Sequence, residues 1–200
     1  MADPTPSQQP AASAGSDYPA SSVAGTVRSS RGDVAELTFA PLDEAAAIRA
    51  VSDAGAGANV LFSGTTRDSF QGKQVTRLEY EAYTSLALKT LRGILEAAHT
   101  TAPFSVSSQP PSPSPPPASR ITKVYVSHRL GIVPVGETSI LIAVSSPHRK
   151  EAFVLAEWIL EEVKKEVAIW KREVYADGRQ IVAPDGQGPA AVWKANFPAS

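Results

Sequence analysis

The sequence contains no cysteine in its 200 residues, which excludes a disulfide framework, a thiolate metal site and a cysteine nucleophile. It also has no run of about 18 apolar residues, the length that a membrane-spanning helix requires, so we expect no association with a membrane. The formal net charge of −1 gives no reason to expect nucleic acid as a partner. The N-terminal residues lack the hydrophobic stretch of a secretory signal, and a cytosolic location is the default expectation.

Several motifs of cofactor and nucleophile chemistry are also missing. Gly55 and Gly57 precede a predicted strand and lack a third glycine, so they do not form a dinucleotide-binding fingerprint. The sequence has no GxxxxGK[ST] phosphate loop and no serine nucleophile elbow. The histidines at positions 99, 128 and 148 do not have the spacing of metal ligands. We therefore expect neither a metal ion nor a bound cofactor.

Two segments of low complexity divide the chain. Residues 1–32 are rich in Ala, Ser and Pro, and this composition predicts a disordered N-terminal tail. Residues 101–119 contain many prolines, which cannot join helices or sheet ladders, so we expect a disordered insertion. The remainder, residues 33–196 without the insertion, has the size of a single domain.

Hydrophobic periodicity predicts strands and helices in uneven alternation. Helical spacing of apolar residues occurs at 43–54, 87–98 and 150–168, and strand patterns occur at 59–63, 74–83, 123–127, 139–144 and 169–175. Adjacent strand pairs favour an α+β fold, with a mixed or antiparallel sheet packed against helices, over a doubly wound sheet.

The segment VSSPHRKEAF, which follows the apolar run at 139–144, carries cations where a helix begins. We expect Ser146 to be the N-cap and Pro147 to lie in the first turn. His148 and Arg149 then lie at the positive end of the helix dipole, where they disfavour the helix but suit an anion such as phosphate. The alternative is that both side chains turn to solvent or to Glu151.

Two other basic clusters lie at the ends of predicted elements. Arg67 follows a predicted strand in the segment GTTRD, where the alternative is an ordinary loop with a surface pair between Arg67 and Asp68. Lys164 and Lys165 close the last long helix, and Lys171 follows Trp170 in the next strand. Clustered cations lower the pKa of a lysine and favour a proton-transferring amine, but the spacing does not show that these lysines meet.

Five motifs together carry a family resemblance: FSGTTRD, LEYEAY, SHRLGIVPVGE, SSPHRKEAF and IWKREVYADG. In this order and at these separations they resemble the large catalytic subunit of molybdopterin synthase, over about residues 35–196 apart from the insertion. The resemblance implies a sulfurtransferase of molybdenum cofactor biosynthesis, which converts cyclic pyranopterin monophosphate into the dithiolene-bearing molybdopterin. It also implies a single α+β domain of the family type.

The resemblance further implies the partners. A small ubiquitin-like subunit supplies the sulfur as a thiocarboxylate on its C-terminal Gly-Gly. Two large subunits form a central homodimer within a heterotetramer, with one small subunit at each outer end. Because the sulfur arrives on the partner, no cofactor is needed on this chain, which fits the absence of cysteine.

The same resemblance assigns roles to residues. It makes Lys164 and Lys171 the catalytic residues, near the thiocarboxylate, although Lys165 leaves the choice of helix lysine open. The substrate-binding residues that it implies are Arg67, His148, Arg149, Lys164, Lys171, Arg172 and Glu173.

Two other interpretations of the basic clusters remain. A non-catalytic α+β module could hold a phosphorylated metabolite or an acidic C-terminal peptide with Arg67 and Arg149, and would have no need for Lys171 beside Trp170. A purely structural dimer predicts no phosphate affinity at all.

Overall fold

The computed structural model describes residues 18–100, 121–176, 180–181 and 194–195. In this part of the chain three helices alternate unevenly with strands. The helices are α1 (Glu44–Val51), α2 (Thr84–Ala98) and α3 (Arg149–Glu166). The strands are β1 (Gly25–Arg28), β2 (Val34–Thr38), β3 (Ala58–Thr65), β4 (Ser69–Phe70), β5 (Lys73–Ala82), β6 (Lys123–Arg129), β7 (Gly131–Pro134), β8 (Thr138–Ser146), β9 (Ile169–Tyr175), β10 (Gln180–Ile181) and β11 (Lys194–Ala195).

The first sheet has five strands in the order β1-β2-β6-β8-β3. The pair β2/β6 is parallel and the other pairs are antiparallel. Helices cover both faces of β8: Ile140, Ile142 and Val144 pack in the main core with α2 and α3, whereas Leu141 and Ala143 pack with α1. Because both faces are buried, β8 is a continuous apolar run instead of an alternating one.

The second sheet is antiparallel and is centred on β5. Tyr80 of β5 is paired with Gly131 of β7 on one edge and with Lys171 of β9 on the other. The short strand β4 also pairs with β5, and β10 and β11 pair with β9. Tyr80 and Ile169 belong to the main core, so one face of this sheet packs against the first sheet and its helices.

A buried carboxylate joins the two ends of the segment between α2 and β6. Oδ1 of Asp33 accepts a hydrogen bond from the backbone N–H of Val124 at 2.9 Å. Oδ2 lies 2.8 Å from Nε2 of His99 and accepts from the hydroxyl of Ser29 at 2.7 Å. His99 caps the end of α2 and Val124 is the second residue of β6, so both ends of the segment are fixed beside β2.

The predicted α+β class is confirmed, and each predicted helix and strand has a counterpart at nearly the predicted place. The predicted tail is wrong for residues 18–32, because β1 lies within it and pairs with β2. The chain just before this strand is also held by a residue distant in sequence, since Val23 exchanges hydrogen bonds with the hydroxyl of Thr84. Residues 1–17 and the predicted insertion at 101–119 lie outside the described residues.

The start of α3 also differs from the prediction. Ser146 is the last residue of β8 and pairs with Ala58, so it is not the N-cap. Its hydroxyl donates to the carbonyl oxygen of His148. His148 is the N-cap, with extended backbone angles (φ −130°, ψ 143°) and no side-chain capping hydrogen bond, and Pro147 precedes the helix. The prediction failed because β8 extends through Ser146, which still pairs with Ala58 at the start of β3.

None of the three helices in the described part of the chain is long and apolar enough to cross a membrane.

Candidate active site

Arg67 lies in the turn between β3 and β4. Its guanidinium carbon is 5.7 Å from the centre of the Phe70 ring, and its side chain is exposed. The preceding residue, Thr66, fixes the turn, because its N–H donates to the carbonyl of Glu137 and its hydroxyl to the carbonyl of Val133. The alternative surface pair with Asp68 does not occur among the ion pairs of the described residues.

His148 and Arg149 lie at the other end of the first sheet, where β8 passes into α3, and both are exposed. Neither makes an ion pair with Glu151 in the part of the chain that the structure describes. Since no side chain caps the helix, its first N–H groups stay available to an anion. The loop before β3 packs tightly here, with Gly57 against the carbonyl oxygen of Pro147.

In one chain the residues of the predicted pocket therefore lie in two separate groups. Ala58 at the start of β3 is paired with Ser146, and Thr65 at its end is paired with Thr138. Seven residue steps along a strand span about 23 Å. Arg67 follows the far end of β3, whereas His148 follows Ser146, so a single copy does not bring these two side chains together.

Lys164 lies in the last turn of α3. It is 15 residues from the start of the helix at Arg149, or about 22 Å along the axis. The helix packs against β8 and β3 and returns toward the beginning of β8, the end of the sheet at which Arg67 lies. We call Arg67, Lys164 and Lys171 the lysine end of the molecule, and His148 and Arg149 the helix-start end.

The two neighbouring helix lysines differ in their surroundings. Nζ of Lys164 is 3.0 Å from a carboxylate oxygen of Glu161, and its side chain is 41% exposed. Lys165 pairs with Glu166 and is 70% exposed. The hydrogen bond that Lys165 donates to Glu166 raises the pKa of Lys165, with a further contribution from the charge of that carboxylate and of Glu162. The expected lowering of the pKa by clustered cations is therefore wrong for Lys165.

Lys171, Arg172 and Glu173 follow one another in β9 and so face alternate sides of the sheet. Nζ of Lys171 lies 3.0 Å from Oε1 of Glu173. Arg172 points to the opposite face, where it shares the buried carboxylate of Glu79 with Arg77. The structure thus brings Lys171 and Glu173 together and separates both from Arg172.

Two residues next to the pair of Lys171 and Glu173 were not predicted as site residues. Tyr80 is the cross-strand partner of Lys171, and burial raises its pKa to about 12. Tyr175 lies on the same face of β9, and its hydroxyl donates to Glu173 at 2.6 Å. The signal was present in IWKREVY, because alternate residues of a strand share a face.

His128 is not suited to proton transfer near neutral pH. It is fully buried, with its ring at 4.8 Å and 74° to the ring of Tyr80. Burial lowers its pKa to about 4, against a smaller opposite effect of the hydrogen bond between Nδ1 and the carbonyl of Arg129. Within the described ranges there is also no group of three or more His, Cys, Asp or Glu side chains that could hold a metal ion.

Known proteins are similar to this chain in sequence and fold. The family model of the MoaE protein matches residues 37–166. The chain is 45% identical over 143 residues to the molybdopterin synthase catalytic subunit of Aspergillus fumigatus, covering 72% of this chain and 67% of that protein.

Two solved structures are similar as well. One is molybdopterin synthase from Staphylococcus aureus, with a TM-score of 0.59, 29% identity and coverage of 72% of this chain and 93% of that one. The other is a chain of the complex of subunits 1 and 2 of molybdopterin-converting factor from Helicobacter pylori, with a TM-score of 0.54, 20% identity and coverage of 78% and 93%. This second likeness shows the fold alone. On the family match and the similarity to the Aspergillus protein, the chain belongs to the MoaE protein family.

Proposed function

We propose that this chain is the catalytic subunit of molybdopterin synthase, a sulfurtransferase of molybdenum cofactor biosynthesis. The family membership and the name of the Aspergillus relative support the activity. The observation that carries the proposal is the lysine end. Lys171 lies partly exposed on β9 beside a buried carboxylate, and Lys164 closes the helix that leads into that strand. The chain acts in the cytosol and holds no cofactor of its own.

The lysine end receives the small ubiquitin-like subunit. Its C-terminal Gly-Gly ends in a thiocarboxylate, an anion that the ammonium groups of Lys164 and Lys171 orient. As the sulfur attacks the side chain of cyclic pyranopterin monophosphate, the same groups offset the charge that develops, and one of them transfers a proton. Water then releases the small subunit from the acyl thioester, and a second loaded small subunit delivers the second sulfur.

The helix-start end holds the phosphate of the pterin. His148 and Arg149 stand at the uncapped N-terminus of α3, where backbone N–H groups and both side chains direct positive charge to one anion. Arg149 can bind two phosphate oxygens through parallel hydrogen bonds. The otherwise unfavourable placement of cations at a helix start is thus explained by the substrate.

A homodimer within a heterotetramer assembles the complete site. In one chain Arg67 and Lys171 lie at the opposite end of the molecule from Arg149, so a pocket that uses all of them takes its two parts from two copies. A two-fold dimer then forms two equivalent sites, each with the lysine end of one copy and the helix-start end of the other.

Mixing two inactive variants tests this arrangement. After subunit exchange, Lys171→Ala and Arg149→Ala chains at equal amounts give about half mixed dimers, each with one intact site. We expect about a quarter of the wild-type rate to return, since each variant alone is inactive. No recovery, with mixed dimers shown by mass spectrometry, would place both residues in a site formed by one chain.

The activity itself is tested by mixing the purified chain with a thiocarboxylated small subunit and cyclic pyranopterin monophosphate, and measuring molybdopterin. Wild-type protein should form product, and Lys171→Ala should lose on the order of 10²-fold in rate. Binding of the small subunit without product would instead support the non-catalytic binding module. That alternative is not favoured, because the Aspergillus relative is named a catalytic subunit.

A further inference from the structure

Three side chains on one face of β9 form a continuous row of polar contacts. Nζ of Lys171 lies 3.0 Å from Oε1 of Glu173. The hydroxyl of Tyr175 donates a hydrogen bond of 2.6 Å to Oε2 of the same carboxylate. The two oxygens of Glu173 thus join a phenol on one side to an ammonium group on the other.

The row runs from the core to the surface. The side chain of Lys171 is 28% exposed, that of Glu173 is 9% exposed, and Tyr175 is only 4% exposed. Tyr175 is held in place by its backbone, since it is paired with Val75 of β5. The inner end of the row is therefore fixed, and Lys171 at its outer end is the most exposed of the three side chains.

The chemistry of the three groups determines which of them donate hydrogen bonds and which accept them. Burial raises the pKa of Tyr175, and the hydrogen bond to Glu173 raises it further, so the phenol remains protonated and acts as a donor. A donor fixed on Oε2 leaves Oε1 as the acceptor for the ammonium group of Lys171. Tyr80 is the cross-strand partner of Lys171 on the same face of the sheet, a position from which side chains interact.

We propose that Tyr175 is a positioning residue for sulfur transfer. Its hydroxyl fixes the carboxylate of Glu173, and that carboxylate directs Lys171 toward the thiocarboxylate of the small subunit. A lysine side chain has four rotatable bonds, and ordering it before the reaction lowers the entropy lost on reaching the transition state. This inference rests on the proposed function, because the lysine is given its role there.

The first test is Tyr175→Phe, which removes the donor and keeps the buried ring. We expect kcat to fall on the order of tenfold, the effect of one hydrogen bond to a charged group, with the KM for the small subunit nearly unchanged. The matched control is Tyr125→Phe, because Tyr125 donates an equally short bond of 2.6 Å to Glu36 in the first sheet, remote from Lys171. A wild-type kcat in Tyr175→Phe, or an equal loss in both variants, would overturn the proposal.

A double-mutant cycle shows whether Tyr175 acts through Glu173. Glutamine offers only one acceptor oxygen, so Glu173→Gln cannot serve the phenol and the ammonium group from two oxygens. Tyr175→Phe should then have no further effect on kcat in the Glu173→Gln background. Additive losses would mean that Tyr175 acts independently of Glu173.

A measurement without substrate separates this inference from the proposed function. The rate at which an acetylating reagent modifies the amine of Lys171 is followed by mass spectrometry, with the exposed Lys89 as internal reference. Tyr175→Phe should change the rate at Lys171 severalfold and leave Lys89 unchanged, while Tyr125→Phe should change neither. This result would stand even if the wild-type chain made no molybdopterin, and an unchanged rate at Lys171 would count against the positioning role.

Discussion

Nε2 of His99 lies 2.8 Å from Oδ2 of Asp33, and both side chains are only 1% exposed. Burial alone would raise the pKa of Asp33, but hydrogen bonds from His99, Ser29 and the backbone of Val124 outweigh it, so the pKa is lowered. The folded state thus favours the charged carboxylate. The contact fixes the β1–β2 turn, the end of α2 and the start of β6 to one another.

Asp33→Ala should lower the free energy of unfolding by about 3 kcal/mol, because it leaves buried donors without an acceptor. Denaturant unfolding at pH 7 measures this. Asp53→Ala is the control, since Asp53 pairs with Lys123 at the surface and its loss should cost far less. Equal losses in the two variants would contradict the role of Asp33.

The stabilisation by Asp33 should depend on pH in one direction. A carboxyl group with a lowered folded-state pKa contributes stability that is fully present above its unfolded pKa, here 3.8, and that is lost as the pH falls through the folded-state value. The difference in unfolding free energy between wild type and Asp33→Asn should therefore shrink as the pH falls below 3.8. A difference that grew on acidification would have the wrong sign.

Gly57 should control the position of His148 and Arg149, the residues proposed to bind the phosphate. A Cβ atom at Gly57 would lie 2.5 Å from the carbonyl oxygen of Pro147, so Gly57→Ala must displace the backbone just before His148. We expect the KM for the pterin to rise on the order of tenfold or more, since small displacements of binding groups are costly. Gly55→Ala is the matched control, because its Cβ would meet only the carboxylate of Asp53 at 3.4 Å; the same KM in both variants would contradict the argument.

Lys164 and Lys165 should differ in their effect on the rate. Lys164→Ala should lower kcat on the order of 10²-fold if it stabilises developing charge. Lys165→Ala should leave kcat close to that of the wild type, because Lys165 is the more exposed of the two and is paired with its neighbour Glu166. Steady-state kinetics of the two variants decide between them, and the reverse order would make Lys165 the catalytic lysine.

Arg172 should contribute more to stability than to the chemical step. It faces away from Lys171 and binds the buried carboxylate of Glu79. Arg172→Ala should therefore lower the free energy of unfolding by about 2 kcal/mol, while kcat falls far less than in Lys171→Ala. Arg77→Ala removes the other, more exposed partner of Glu79, so its effect on unfolding should be smaller. A large loss of kcat with unchanged stability would instead assign Arg172 to the substrate.

Local patterns predicted the elements whose apolar residues are continuous or periodic. The run at 139–144 was recognised as a buried strand because it is continuously apolar, and the helix after it because its apolar residues repeat at helical spacing. The strands β1 and β2 were not predicted, because β2 depends on β6, where Val34 is paired with Tyr125, and no local pattern shows a partner at that distance.

The candidate site was predicted in its residue types but not in its arrangement. Family motifs identified Arg67, Arg149 and the lysines, and the structure shows where each one lies. The separation of the lysine end from the helix-start end follows from the register of β3 against β8, which a sequence does not display. The split between Lys171 and Arg172 follows from strand alternation and was available from IWKREVY.

The carboxylate of Asp33 makes the chain between α2 and β6 replaceable. Because His99 and Val124 both bind Asp33, the entry and exit of that segment stay together whatever its length. In general, each doubling of the length of a loop costs only about 0.6 kcal/mol. The fixed ends at His99 and Val124 therefore offer an internal attachment point at which a short linker or a fluorescent reporter could be inserted.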